Sequence, residues 1–182
     1  HHGFHGTSIA QISKAAGMSP GHIYHYFANK EAIIAEIVAQ DLHRVLTLIA
    51  EMSSADDVLD AMLARAAEGV AEHLDSVTAA LRLEIVAEAA RNPGIAEIVR
   101  SADRRSRAGL TEAVRRVRRA GGHQDSEDAL AGRVEVIVAM FEGLQIRSVR
   151  NPGLDRDAVA QVFQQVLRDL LTQPAAGTGD RG

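Results

Sequence analysis

The chain has 182 residues, with 24 acidic against 20 basic side chains, a formal net charge of -4 and no cysteine. This length is sufficient for one or two small domains with a buried core, and the absence of cysteine excludes disulfide bonds and thiolate chemistry. Because neither a secretory signal nor an apolar run of membrane-spanning length occurs, we expect a cytoplasmic protein.

The first predicted elements are two short helices joined by a glycine turn. Thr7 and Ser8 are good N-terminal caps, and apolar or small residues follow them at helical spacing. Gly17 ends this helix where a positive φ costs little, and Ser19 and Pro20 begin the next one. This layout is typical of a helix-turn-helix, whose second helix enters the major groove of DNA. The predicted apolar core of this head consists of Ile9, Ile12, Met18, Ile23 and Phe27.

The segment from Ala15 to Glu31, with the sequence AAGMSPGHIYHYFANKE, closely resembles the signature of the TetR family of bacterial transcriptional regulators. The shared features are an Ala-Gly-x-Ser turn, a short recognition helix ending in aromatic residues, and a Lys-Glu pair that opens the next helix. The resemblance implies an all-α protein with an N-terminal helix-turn-helix DNA-binding head and a helical C-terminal ligand-binding and dimerisation domain. It also implies one further helix before Gly3, and we expect that the chain starts too late to include it.

The exposed side of the recognition helix supplies candidate contacts to bases. Gly21 lets the backbone approach DNA, and His22 and His25 can donate or accept hydrogen bonds at base edges. The same two histidines, three residues apart, are also a possible metal pair, but no third ligand is evident near them in the sequence. We therefore predict no metal and no cofactor. Because Pro20 stands where the family usually has a lysine or arginine, base recognition would depend on His, Tyr and backbone groups.

Other residues of the head are candidates for contacts with the DNA backbone. Tyr24 and Tyr26 offer hydroxyl groups to phosphates, although Tyr26 could instead be mainly structural. Lys30 lies at the N-terminus of the next helix, where its charge and the free N–H groups both attract phosphate. By resemblance, the residues that contact the operator are Thr7, Ser19, Pro20, Gly21, His22, Tyr24, His25, Tyr26 and Lys30.

The charge pattern supports a DNA-binding head. No Asp or Glu occurs before Glu31, whereas the same stretch carries Lys14 and Lys30 and five histidines. The acidic surplus therefore lies in the remainder of the chain. A basic head on an acidic body suits a protein that touches phosphate at one end only.

Beyond the head, the sequence predicts six body helices separated by polar or Pro-Gly breaks. The first runs from Lys30 to about Met52, and the later ones end near Leu74, Arg91, Ala120, Arg150 and Thr172. The clearest breaks are the two Asn-Pro-Gly sequences at 92–94 and 151–153. We predict a DNA-binding head over residues 1–38, a ligand-binding and dimerisation domain over 39–172, and a disordered tail over 173–182.

The last two helices carry apolar residues on more than one face, so something besides the core of the chain has to cover them. The resemblance supplies a second copy, which would form a homodimer through a four-helix bundle on a two-fold axis. Two heads roughly 34 Å apart could then read a palindromic double-stranded DNA operator. The alternative is that both faces are buried within one monomer. The predicted interface residues are Val134, Val138, Phe141, Val159, Val162, Phe163, Val166 and Leu170.

TetR-like proteins are mostly repressors that a small molecule, bound within the body, releases from DNA, and the resemblance implies the same here. The effector acts by binding more tightly to the conformation in which the spacing of the heads prevents DNA binding than to the one that binds DNA. A buried, unpaired Glu84 or Glu88 would favour a cationic ligand, and the alternative is that both face solvent or pair with Arg82 or Arg91. The segment from residue 83 to 93 resembles the body of the choline-responsive branch of the family. The predicted effector-binding residues are Met62, His73, Leu81, Glu84, Glu88 and Phe141.

Two other kinds of function compete with a ligand-responsive repressor. A DNA-binding regulator or architectural protein without a small-molecule ligand would have a solid body with no pocket. An enzyme is not expected, because neither a nucleophile–base constellation nor a glycine-rich phosphate loop occurs. The arginine-rich stretch from Arg100 to Arg119 could be a second nucleic-acid surface, but such a run is more typical of a solvated helix face.

Overall fold

A computed structural model describes residues 8–174 of the chain. These residues form eight α-helices and no strand, so the predicted all-α class is confirmed. None of the helices within this range is both long and apolar enough to cross a membrane. The helices are α1 (Ile9–Ala15), α2 (Pro20–Tyr26), α3 (Lys30–Ser54), α4 (Val58–His73), α5 (Ser76–Ala89), α6 (Pro93–Ala120), α7 (Glu127–Arg150) and α8 (Arg156–Thr172).

Side-chain caps and a glycine set the ends of the two head helices. The Ser8 hydroxyl accepts a hydrogen bond from the backbone N–H of Gln11, and the Gln11 side chain accepts one from the N–H of Ser8. Gly17 follows α1 with a φ of 67°, a conformation that glycine adopts without strain. Ser19 accepts from the N–H of His22 and so begins α2. The helix-turn-helix boundaries therefore follow from short polar residues and one glycine.

Polar caps also begin the body helices. Asp57, Ser126 and Asp155 each accept hydrogen bonds from N–H groups in the first turn of the helix that follows. The Asn92 side chain accepts from two N–H groups at the start of α6. Each of these groups would otherwise lack a partner, because the first four N–H groups of a helix have none within it. The six body helices accordingly lie between the predicted breaks.

The described chain is divided into two compact units. The first comprises the described residues up to Val45 together with Leu81–Ser106, and the second comprises Leu46–Ala80 and the described residues from Arg107 onward. Helices α3, α5 and α6 each contribute one part to either unit. The boundary at residue 38 was drawn from the motif rather than from contacts, and it stays a prediction.

The first unit has an isoleucine core and an ion-pair cluster. One carboxylate oxygen of Asp41 accepts hydrogen bonds from Arg44 at 2.7 Å and from Arg82 at 3.0 Å. Burial opposes the ionisation of Asp41, but the two guanidinium groups outweigh it and hold the pKa of its carboxyl below the usual value. The ion pair between Asp41 and Arg82 therefore joins α3 to α5 within this unit. The buried core residues are Ile34, Ile85 and Ile95.

The second unit contains the larger core, in which α4 packs against α7 and α8. Val70 of α4 and Val114 of α6 are completely buried, and Leu171 of α8 is 1% exposed. Apolar side chains at helical spacing on each of these helices supply this core, as an amphipathic stripe does in globular proteins. Its other buried members include Met62, Leu63, Leu74, Leu130, Val134, Ile137, Phe163 and Leu167.

A buried charge cluster holds the C-terminal end of α8. The side chain of Arg118 is 1% exposed, and its Nε lies 2.5 Å from Oδ2 of Asp125. Its Nη1 donates to the carbonyl oxygens of Leu171 and Gln173 at 3.1 and 2.8 Å, and Arg133 also donates to the Gln173 carbonyl. The hydrogen bond from Arg118 lowers the pKa of Asp125, although burial opposes this effect. The cluster thereby satisfies carbonyls that a helix end leaves without partners.

The structure corrects part of the predicted dimer interface. Val134 and Phe163 are only 2% and 5% exposed and lie in the core of the second unit, so their side chains serve the chain's own packing. Val162 and Val166 are 61% and 40% exposed and remain available to a partner. The sequence pattern cannot distinguish the buried valine and phenylalanine from the two exposed valines, because all four lie on helices that carry apolar residues on more than one face. The other four are partly buried against the same core: Val138, Phe141, Val159 and Leu170.

Candidate nucleic-acid interface

A tight turn positions α2 relative to α1. The N–H of Met18 donates to the carbonyl of Ser13 at 2.8 Å, and the N–H of Gly17 donates to that of Lys14 at 3.3 Å. Ser13 is 1% exposed, and its hydroxyl donates to the Ala10 carbonyl at 2.9 Å. A small side chain with a satisfied hydroxyl therefore occupies a fully buried position beside the turn, where a larger one would strain the packing.

The exposed face of α2 is defined by its single buried residue. Ile23 is 5% exposed and anchors the helix to the rest of the head. At about 100° per residue, Gly21 and His25 lie nearly opposite Ile23, and His22 and Tyr24 flank them. All four of these residues are exposed. The face that α2 presents to solvent is therefore centred on Gly21 and His25.

The glycine at the centre of this face is not required by the fold. Gly21 is not among the described glycines with a positive φ, and no atom lies within 4 Å of the position that its Cβ would occupy. Glycine in a helix is less stable than alanine, so its presence has a cost. A partner can approach the backbone closely at this position, because the glycine is exposed and has open space beside it.

Aromatic contacts order the side chains on this helix. The rings of His22 and His25 lie 5.3 and 5.0 Å from that of Tyr26, both in edge-to-face geometry. Tyr24 and Tyr26 are 57% and 64% exposed, which favours a surface role for Tyr26 over a structural one. Within residues 8–174, no group of three or more His, Cys, Asp or Glu side chains is placed to hold a metal ion.

The remaining predicted contacts lie on either side of this face. The Ser19 oxygen already accepts the N–H of His22, and Pro20 is exposed in the first turn of α2. The side chain of Asn29 accepts from a backbone N–H at 2.8 Å and begins α3, which places Lys30 in the first turn of that helix. Thr7 lies outside the described residues.

The head core differs from the predicted one at a single position. Ile9 and Ile23 are buried, and Ile12 and Phe27 are partly buried, as expected. Met18 is 42% exposed and therefore does not belong to this core. It lies in the turn rather than in a helix, where helical spacing does not determine the direction of a side chain.

The predicted effector-binding residues are divided between the two units. Met62, His73 and Phe141 belong to the second, where Met62 is buried and the His73 and Phe141 rings lie 5.1 Å apart. Leu81 and Glu84 belong to the first unit, and both are exposed. The structure therefore brings together the aromatic pair of the second unit.

The buried glutamate of the first unit already has a partner. Glu88 is 5% exposed, and its carboxylate lies 2.7 Å from the Arg91 guanidinium. The argument for a cationic ligand depended on an unpaired buried carboxylate, and this ion pair removes that premise. Of the two interpretations left open by the sequence, the pairing of Glu88 with Arg91 is the one observed.

A surface cleft lies elsewhere, in the second unit at the turn from α6 to α7. Its volume is about 500 Å³, and Arg119 and His123 are among the residues lining it, together with the paired Arg118 and Asp125. No predicted effector-binding residue lines this cleft.

Several arginines of the arginine-rich stretch of α6 are engaged in ion pairs. Arg104 pairs with Glu97 and Arg115 with Glu127, each at 2.7 Å, and Arg118 is buried. Guanidinium groups that already face carboxylates are poorly disposed to bind phosphate as well. The pairing favours a solvated, ion-paired face over a second nucleic-acid surface.

Comparison with known families covers both parts of the chain. The family described as bacterial regulatory proteins, tetR family, matches residues 1–37, and the C-terminal domain of BetI-type transcriptional repressors matches residues 55–172. The chain belongs to the TetR family. Members of this family are transcriptional regulators, so the prediction of a non-enzymatic role is confirmed.

Individual relatives of this TetR-family protein include regulators of known name. The HTH-type transcriptional regulator UidR of Escherichia coli K12 is 35% identical over 105 residues, which are 54% of this chain and 50% of UidR. The chain thus spans about half the length of the curated relatives it matches. The structure of Salmonella enterica GusR is 30% identical with a TM-score of 0.74, covering 93% of this chain and 84% of GusR. The fatty acid degradation regulator FadR from Bacillus halodurans, at 21% identity and a TM-score of 0.76, covers 96% and 92% and shares the fold.

Three exposed apolar residues of α7 lie outside the predicted dimer interface. Val136, Ile146 and Val149 are 47%, 46% and 56% exposed. Between the first two lie Ala139 and Gly143, so that small and apolar residues follow one another three or four positions apart. This spacing is visible in the sequence, but the larger side chains on the opposite face of α7 carry the stronger signal.

Proposed function

We propose that this TetR-family protein is a DNA-binding transcriptional regulator, acting as a dimeric repressor that a small molecule releases from its operator. The main support is the exposed face of α2, where a glycine that the fold does not need lies one helical turn from His25. Its family membership and its likeness to UidR, an HTH-type transcriptional regulator, point the same way. The proposed operator contacts are Thr7, Ser19, Pro20, Gly21, His22, Tyr24, His25, Tyr26 and Lys30.

A second copy of the chain is the proposed partner for the exposed apolar residues of α7 and α8. No atom lies within 4 Å of the position that a Cβ on Gly143 would occupy, which leaves room for a facing helix to pack closely. Burial of this surface in a dimer would remove it from water, which is the main driving force for association. We define the α7–α8 stripe as Val136, Ala139, Gly143, Ile146, Ala158, Val162 and Val166.

A two-fold dimer determines the form of the DNA target. It would present two copies of α2, and two recognition helices related by symmetry read inverted half-sites about 34 Å apart. We therefore propose a palindromic double-stranded operator, bound in the cytoplasm.

The body is the proposed site of the small-molecule effector, and the packing around Gly69 supports a competing proposal. Cε1 of Phe141 lies 2.9 Å from the position of a Cβ on Gly69, and the Phe141 and Phe163 rings are 4.5 Å apart. A body filled in this way suits a regulator without a small-molecule ligand. A compound that raises the melting temperature and weakens DNA binding would support the effector. A screen in which no compound both raises the melting temperature and weakens DNA binding would support the alternative.

The proposed function can be tested with DNA selected by the protein itself. A duplex would be selected from a random-sequence pool, and its affinity measured by fluorescence anisotropy across a salt series. We expect the double variant His22→Ala/Tyr24→Ala to lose specific binding, while the matched control His43→Ala, which changes an exposed histidine of α3, retains it. Equal, weak binding by the wild type and the double variant would contradict the assignment of α2 as the recognition helix.

A further inference from the structure

The recognition helix of this protein carries no permanent positive charge. Helix α2 has the sequence PGHIYHY, so its only groups that become cationic are His22 and His25. His25 lies at the centre of the exposed face, nearly opposite Ile23, and His22 lies at its side. Within the part of the chain that the structure describes, neither imidazole has a carboxylate partner, and the recorded ring contact of both is Tyr26.

The ionisable groups of the neighbouring elements do not supply a counter-charge to these rings. Helix α1 contributes Lys14 in its last turn, and α3 begins with Lys30 and Glu31. The Glu31 carboxylate is the acceptor for the side chain of Asn92, at 3.5 Å. A bound anionic acceptor would therefore be the strongest negative group near either histidine.

We propose that operator binding takes up protons at His22 and His25, so that imidazolium groups rather than fixed cations donate to acceptors on the DNA. Neutral imidazole has one N–H donor and imidazolium has two, and an anionic partner favours the charged form. The affinity then increases as the pH falls from about 8 to about 6. This inference rests on the proposed function, since it concerns the same recognition helix. The acceptors are guanine N7 or phosphate oxygens.

The size of the effect follows from proton linkage. Each proton taken up on binding changes the association constant by up to about tenfold per pH unit between the pKa values of the free and bound forms. A dimer presents four such histidines, two on each recognition helix. We expect the affinity at pH 6 to exceed that at pH 8 by about 10- to 100-fold.

The test measures affinity for one duplex, selected from a random pool at pH 6.5, between pH 6 and 8 at constant ionic strength. The proteins are the wild type, His22→Gln/His25→Gln and the control His43→Gln/His123→Gln. Glutamine keeps a donor and an acceptor but does not titrate, so the first variant should lose the pH dependence while the control retains it. Circular dichroism melting of each variant establishes that the fold is intact.

Two outcomes would overturn the inference while leaving the proposed function in place. One is specific binding by the wild type with an affinity that is the same at pH 6 and pH 8. The other is a pH dependence that persists in His22→Gln/His25→Gln. If no duplex is selected, the proposed function itself fails and the inference fails with it.

The same measurement distinguishes the two kinds of acceptor. Replacement of guanine by 7-deazaguanine in the half-sites removes N7 and leaves the phosphates unchanged. A pH dependence that decreases with this DNA assigns the imidazolium donors to guanine. A dependence that persists with 7-deazaguanine but decreases at high salt assigns them to phosphate. Either result supports proton uptake at the recognition helix.

Discussion

Replacement of Gly21 by alanine should stabilise the protein and weaken its binding to DNA. The glycine lies in α2 without a positive φ, and nothing within 4 Å obstructs a Cβ at this position. Alanine is favoured over glycine in a helix interior by about 0.5–1 kcal/mol. Because Gly21 is the second residue of α2, where the backbone N–H groups are not bonded within the helix, we expect a gain near the lower value, about 0.5 kcal/mol.

The loss of DNA affinity has a different origin. Gly21 shares with His25 the centre of the face that we propose to approach DNA, and a methyl group there would hold the backbone away from the groove. We expect at least a tenfold loss of affinity, or about 1.4 kcal/mol, because the neighbouring contacts would lengthen together. Most substitutions that impair function also destabilise the fold, so opposite signs for stability and binding would be specific to a contact surface.

The two effects can be measured on the same protein. Urea unfolding gives the free energy of unfolding, and fluorescence anisotropy with a selected duplex gives the affinity. Gly153→Ala is the matched control, because its Cβ position is also open and it lies in the turn between α7 and α8. This control should leave DNA binding unchanged. If Gly21→Ala binds DNA as tightly as the wild type, the backbone at Gly21 does not lie against the groove and the reasoning is refuted.

Three other changes test the packing described above. Asp125→Asn leaves the buried Arg118 without a counter-charge and should cost about 3–5 kcal/mol in urea unfolding at pH 7. The pKa of Asp125 is lowered from 3.8 in the folded protein, so its contribution to the free energy of unfolding is present above pH 3.8 and is lost as the pH falls through the pKa of the folded state. A difference in unfolding free energy between variant and wild type that fails to shrink in acid would contradict this. Val162→Asp in the α7–α8 stripe should produce monomers in sedimentation velocity, and an unchanged dimer would exclude this surface. Ser19→Ala removes the cap of α2 and should lower the free energy of unfolding by about 1 kcal/mol. An unchanged free energy of unfolding would show that the cap is dispensable.

Local chemistry was sufficient to predict the secondary structure and the exposed side of α2. Ser8, Ser19 and Asn92 cap helices through hydrogen bonds to backbone groups a few residues away, and Gly17 adopts a positive φ in the turn. These interactions depend on neighbours in sequence, so a reading of the chain can recognise them. The exposed side of α2 was predictable for the same reason. The helical repeat alone determines which residues of this short segment share a face with Gly21.

Packing decided which apolar surfaces are buried and which charges are paired. Val134 and Val136 are separated by two positions in α7, yet the first is 2% and the second 47% exposed. Nothing in the local sequence ranks one apolar face of a helix above another; the choice depends on which helices pack against it. Arg118 shows the same limit, because its burial depends on Asp125 and on carbonyls at the end of α8, 53 to 55 residues away. Such contacts form only when distant segments meet, so a pattern of spacing within one segment carries no record of them.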